Sequence, residues 1–126
     1  MKVISIKQPW ASLIINGYKK YEFRTWKNKY RGKILIHASK SIDKAAMLKF
    51  KSLNLEYPIG HIIGEVDIID CIKVDSKLNN NLKKENKKIY EGNHINSYAF
   101  KLDNIVKYNN LIKINCQLGL WNYIQK

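Results

Sequence analysis

Gly17-Tyr18-Lys19-Lys20-Tyr21-Glu22-Phe23-Arg24 sets the reading of this chain. Upstream of it, Trp10, Leu13 and Ile14 fall on one helical face at i, i+3 and i+4, with Pro9 suited to the first turn. Gly17 is then the natural C-terminal stop, and a short turn carrying Lys19 leads into a new element. From Lys20 to Trp26 the residues alternate as a strand, with Tyr21, Phe23 and Thr25 on one face and Lys20, Glu22, Arg24 and Trp26 on the other. Glu22 and Arg24 are thus same-face neighbours, roughly 6–7 Å apart at about 3.3 Å per residue. Lys19 lies at the turn beside them.

Arginine placement strengthens this reading. Of 23 basic residues only Arg24 and Arg31 are arginine. Where a chain defaults so heavily to lysine, an arginine position points to a need for a planar, permanently charged, forked donor.

Working outward, Lys2 to Ile6 reads as a short apolar strand. Arg31-Gly32 opens another, Lys33 to Ala38, whose nearly continuous apolar character implies burial on both faces. His37 and Ser39 fall at its end, where a strand delivers polar groups to a rim. Asp43 to Leu55 reads as a helix capped by Ser41 or Asp43, with Ala46, Phe50 and Leu53 as its apolar stripe. Tyr57-Pro58-Ile59-Gly60 turns into a long strand, Ile62 to Ile72, interrupted at Gly64 by a bulge or a close backbone approach. The polar, lysine-rich stretch from Asp75 to Asn96 reads as a long surface loop with at most one helical turn. Tyr98 to Val106 and Leu111 to Cys116 read as two further strands, and Gly119-Leu120-Trp121 as the segment that closes a barrel. Many short strands and two helices predict a mixed α/β, mainly β architecture: a small barrel with flanking helices, in one domain spanning 1–126.

Composition sets the bounds. A 126-residue chain that is 45% apolar is long enough to bury a core. No apolar run approaches membrane-spanning length, and the N-terminus has no signal-peptide pattern, so a soluble cytoplasmic protein with no membrane partner is expected. Cys71 and Cys116 are too few for a disulfide framework or a metal knuckle, so no metal and no cofactor is expected; Cys71, in an apolar run, reads as a buried thiol. The net charge of +13 favours a polyanionic partner, RNA or DNA, although 19 isoleucines and 14 asparagines alongside the lysines also fit an AT-rich coding sequence.

The pattern Gly17-x-Lys19-x-x-Glu22-x-Arg24 resembles the G-x-K-x-x-E-x-R signature of ASCH domains, the activating-signal-cointegrator homology branch of the PUA-like superfamily. Gln8-Pro9-Trp10-Ala11-Ser12-Leu13 before it, and Trp26 and Tyr30-Arg31-Gly32 after it, agree. Tyr57-Pro58-x-Gly60 and Gly64-x-Val66-Asp67-Ile68-Ile69-Asp70-Cys71 agree as well. The resemblance is close over residues 1–73 and loose beyond, with Tyr98-Ala99-Phe100 and Leu120-Trp121 as later anchors, and it is nearer to cointegrator-type domains than to the shorter bacterial enzymes. It implies a PUA-like β-barrel whose cleft holds the signature residues. It also implies one of several functions: RNA or DNA binding, hydrolysis of a modified nucleoside such as N4-acetylcytidine, ribonuclease activity, or an adaptor role. The amidohydrolase members are described as using a Lys, a Thr three residues later and a downstream Glu. Here Lys19 matches but Glu22 stands at the Thr position, and a carboxylate in place of that hydroxyl forms a mixed anhydride rather than an ester.

The candidate site residues follow. For nucleic-acid binding they are Lys19, Arg24, Arg31, His37, Ser39 and the aromatics Trp10 and Trp26, with a single-stranded or flipped nucleotide, or a modified nucleoside, as partner. Trp26 is either a base-stacking platform or a cover on the barrel side, and Trp10 either a stacking platform or a core aromatic. Arg31 either contacts phosphate or pairs with Asp67 or Asp70; His37 is an acid–base group or a hydrogen-bonded structural histidine. Glu22 accepts from an exocyclic amine or orients Lys19 and Arg24. If the protein is an enzyme, Lys19, Glu22 and Glu65 are the catalytic candidates, with Glu65 either a general base or a solvent-facing strand residue.

Overall fold

Apolar residues on both faces of β1 (Lys2–Gln8) bury it against two cores: Ile4 and Ile6 enter one cluster and Val3 another. The computed structural model describes residues 1–114 and 120–122. After β1 come α1 (Trp10–Ile15), β2 (Tyr21–Arg24), β3 (Gly32–Ile42), α2 (Lys44–Lys49), a 3-10 turn at Lys51–Leu53, β4 (His61–Lys73), α3 (Ser76–Glu85), β5 (Tyr98–Lys113) and β6 (Leu120–Asn122). The chain is mainly β, in one six-stranded sheet ordered β2-β5-β4-β3-β1-β6. β1 and β3 are parallel; the other neighbours are antiparallel. Among the described residues no helix is long and apolar enough to cross a membrane. Cys116 and Gly119 lie outside the described residues.

The expected barrel is corrected in one respect. Among the described residues its backbone ladder does not close, since β2 and β6 are its two edges. The sheet nevertheless curls, because Ile4 and Ile6 of β1 share a core with Phe100 and Leu102 of β5. Across the remaining seam the link is a side chain: Arg24 Nη2, on β2, donates to the Ser5 carbonyl of β1 at 2.8 Å.

Local chemistry positions β2. Helix α1 begins under Gln8, whose Oε1 accepts from Ser12 N–H at 3.0 Å while Nε2 donates to the Pro58 carbonyl at 2.7 Å. It ends at Gly17, φ 84°, where Gly17 N–H donates to the Ile14 carbonyl and Tyr18 N–H to that of Leu13. This paired closure needs a left-handed residue, which glycine adopts without a Cβ penalty. Lys19 N–H joins the same Leu13 carbonyl at 3.1 Å, which fixes where Lys19 leaves the helix. Gly64 shows both features expected of it. The β3–β4 and β4–β5 registers shift beside it, and a Cβ there would stand 2.5 Å from the Val106 carbonyl oxygen and 2.8 Å from Ile15 Cδ1.

Four expectations change. The helix read over Asp43 to Leu55 is two short pieces, α2 and the 3-10 turn, with Asp43 accepting from Ala46 N–H at 3.1 Å. The two C-terminal strands are one, β5; register shifts and Asn104 at φ 53° absorb the irregularity without ending the pairing. The stretch from Asp75 to Asn96 is not a loose loop. Asp75 caps α3 by accepting from Leu78 N–H at 2.8 Å, and Leu82, Ile89 and Tyr90 are buried with Leu13 and Phe50. Asp75→Ala is therefore expected to cost about 1 kcal/mol, read by urea denaturation. Cys71 is half-buried at the margin of the main core rather than within it.

Candidate functional site

The seam between β1 and β2 opens into a cleft of about 570 Å³. Ser5, Ile6 and Lys7 of β1 form one wall, and Lys19, Glu22, Phe23 and Arg24 the other. Trp10 from the start of α1, Ser39 and Ser41 from the end of β3, and Ile89, Glu91 and His94 from the segment after α3 complete it.

Three charged side chains make the floor. Lys19 Nζ donates to Glu22 Oε1 at 2.8 Å, while Arg24 Nε and Nη2 donate to Glu22 Oε2 at 3.2 and 3.0 Å. Lys19 and Glu22 are buried, at 5% and 8% exposure, and Arg24 is partly open to the cleft. Burial pushes the Glu22 carboxyl upward. The charges and hydrogen bonds of Lys19 and Arg24 together outweigh it and hold the group below the usual carboxylate range. Lys19 Nζ also lies 5.5 Å from the Trp10 ring centroid and 5.2 Å from that of Phe23, so aromatic faces share in holding the ammonium. Both Glu22 oxygens are engaged, which gives Glu22 the geometry of a residue that orients Lys19 and Arg24.

An aromatic wall rises from this floor. The His94 ring stacks on Phe23, with centroids 4.0 Å apart and planes at 10°. His94 Nε2 sits 3.0 Å from the Glu91 carbonyl, which can only accept, so the neutral ring carries its proton on Nε2 and leaves Nδ1 as an acceptor. Burial, with the charges of Lys19 and Lys83, holds His94 below the usual imidazole range against the pull of the Glu91 carbonyl and Glu22. Tyr90 pins this segment to β2: its hydroxyl accepts from Lys20 N–H at 2.9 Å, and its ring meets Tyr21 and Phe23 edge-on. Burial pushes the Tyr90 phenol up to about 12, so it stays protonated.

Of the residues singled out from sequence, Lys19, Glu22, Arg24, Trp10 and Ser39 line the cleft. Four do not. Trp26 falls beyond the end of β2, where alternation stops, and packs edge-on against Phe100 at 5.2 Å, a core cover rather than a stacking platform. Arg31 donates to the Asn28 and Tyr30 carbonyls and lies 4.0 Å from Asp70. His37 is fully buried and meets the Ser5 hydroxyl through Nδ1 at 2.9 Å; burial lowers its pKa. Glu65 accepts from Tyr108 Oη at 2.7 Å and pairs with Lys33 at 3.4 Å, away from the cleft. Phe23 and His94 carried little signal in the sequence. Phe23 has the wrong strand parity for the Glu22 face, and His94 lies within the polar, lysine-rich stretch that reads as a surface loop.

Comparison with known proteins bears on the fold and the family. Activating signal cointegrator 1 from Homo sapiens is 33% identical over 81 residues, covering 55% of this chain and 14% of that protein. The Mus musculus protein of the same name is 35% identical over 81 residues with the same coverage. The chain thus spans 14% of the length of these curated relatives. A crystal structure of ASCH from Zymomonas mobilis matches the fold with a TM-score of 0.62 at 20% identity, covering 99% of this chain and 87% of that one. A structure of a variant of the Zymomonas protein gives 0.55 at 20% identity, with 90% and 74% covered. The ASCH domain model matches residues 4–115, and the chain belongs to the ASCH domain family.

Proposed function

We propose that this domain binds nucleic acid, RNA in preference to DNA, by taking one unstacked nucleotide of a single strand into the β1–β2 cleft. The observation that carries this reading is the Lys19–Glu22–Arg24 triad facing a cleft with aromatic faces, Trp10 and the Phe23–His94 stack. Cationic groups beside ring faces are what a single-stranded nucleotide needs, and volumes of about 300–1,000 Å³ suit one small ligand. The net charge of +13 supports a polyanion, and the ASCH relationship supports RNA. Lys84, Lys87 and Lys88 are exposed on the segment that leads to the cleft rim, where they add contacts to neighbouring phosphates.

Binding of an unstructured RNA oligomer should weaken with salt, with a log–log slope of about −2 to −4 for three to five neutralised phosphates. Arg24→Lys is expected to weaken it about fivefold, since the fork that holds Glu22 and the Ser5 carbonyl together is lost. Fluorescence anisotropy across a salt series reads both effects. Salt-insensitive binding, or full tolerance of the lysine, would refute the reading.

A further inference from the structure

The hydrogen-bond inventory of the cleft floor restricts what can sit on it. Among the described residues Glu22 is the sole carboxylate there, and Lys19 and Arg24 already occupy both of its oxygens. Lys19 has three N–H groups and directs one to Glu22. Arg24 directs Nε to Glu22 and Nη2 to Glu22 and the Ser5 carbonyl; its Nη1 is engaged by no described residue. The floor therefore keeps donors in hand, has no charged acceptor to offer, and carries one positive charge more than Glu22 neutralises. The Ser39 and Ser41 hydroxyls and Lys7 continue the donor set along the walls. Glu91, the other carboxylate lining the cleft, is paired with Lys49 at the exposed rim. A group that is anionic and rich in acceptors matches this floor best.

An internal phosphodiester fits these terms less well than a terminal phosphate. It carries one charge on two non-bridging oxygens and is flanked by sugar on both sides. A monoester presents three oxygens and a charge of about −1.5 to −2, and it approaches from one side only. We propose that the cleft captures the phosphorylated end of a nucleic-acid strand, with Lys19 and Arg24 holding a terminal phosphate monoester and the Phe23–His94 wall stacking on the adjoining base. This rests on the nucleic-acid reading above and assigns the chemical group that the cleft selects. A base carbonyl, also an acceptor, is the competing occupant and predicts no preference for a phosphorylated end.

The test is isothermal titration of one unstructured ten-nucleotide RNA in three forms: 5′-phosphate, 3′-phosphate, and hydroxyl at both ends. One phosphorylated form is expected to bind at least tenfold more tightly than the hydroxyl form. In Lys19→Met that ratio should fall to within about twofold while weak, salt-dependent RNA binding through the surface lysines persists. Equal affinity for all three forms would overturn the phosphate assignment and leave the nucleic-acid reading standing. Absence of binding to every form at low salt would overturn both. A nucleoside monophosphate that binds as tightly as the oligomer would reassign the site to free nucleotides and overturn the strand-end assignment.

Discussion

Glu22→Ala is expected to destabilise the fold by about 3–5 kcal/mol, because it strands charges that have no other carboxylate partner among the described residues. Lys19 is 5% exposed and sits between the Trp10 and Phe23 rings, which offset only part of the cost of a buried ammonium. Arg24 would keep the Ser5 carbonyl but lose the acceptor that holds its Nε and one Nη2 hydrogen. Against a typical total of about 5–15 kcal/mol the loss is large, and it corresponds to roughly 10–20 °C in Tm for a domain of this size. Glu22→Gln, which keeps the volume and one acceptor, should lie between the variant and wild type. Urea denaturation of all three proteins measures the series. A Glu22→Ala loss under about 1 kcal/mol would mean that water reaches the floor and screens the pair.

The same triad sets a pH dependence. Glu22 has its folded pKa held below the unfolded carboxylate value of 4.5, so the folded state binds fewer protons than the unfolded chain in that window. Its contribution is fully present above the unfolded value and is lost as pH falls through the folded one. Stability should decline on acidification below about pH 4.5, and Glu22→Gln should flatten that part of the curve.

Why the site was largely legible while its walls were not follows from the range of the forces involved. The triad rests on local geometry. A Schellman closure at Gly17 fixes Lys19, and the i, i+2 relation of Glu22 and Arg24 holds within a four-residue strand. Such features depend on neighbours in sequence, so periodicity and capping rules reach them. Trp26 lies off the cleft for the same reason that Arg24 lines it: strand parity is valid only while the strand lasts, and β2 ends at Arg24. Phe23 enters the cleft because β2 is an edge strand whose two faces are both partly enclosed, one by the curled sheet and one by the Ile89–His94 segment. That segment was hidden by its lysines. Its fold depends on long-range burial of Leu82, Ile89 and Tyr90 against Leu13 and Phe50, a pairing across the chain that no local pattern encodes. The open seam is likewise tertiary: strand signals alone do not say whether the last ladder closes through backbone or through an arginine.

Lys19→Met separates binding from folding more sharply than any other change at this site. Methionine has nearly the length of the lysine stem and makes favourable sulfur–aromatic contacts, so the slot between Trp10 and Phe23 stays filled. Glu22 keeps Arg24, whose Nη2 and Nε both donate to Oε2 at 3.0 and 3.2 Å, and loses only the Oε1 contact. The stability cost should therefore be about 1–2 kcal/mol, well short of that for Glu22→Ala. The ligand, in contrast, loses a charge-assisted hydrogen bond in a water-poor site, and affinity for RNA is expected to fall about 10- to 100-fold. The carboxyl of Glu22 responds too. Burial, the largest influence on it, is then opposed by Arg24 alone, so its pKa must rise relative to wild type. That shift can be read by NMR titration of the Glu22 side chain in the folded variant. Unchanged RNA affinity in a Lys19→Met protein that is folded at the assay temperature would remove Lys19 from the binding site, and with it the case for a cleft centred on the triad.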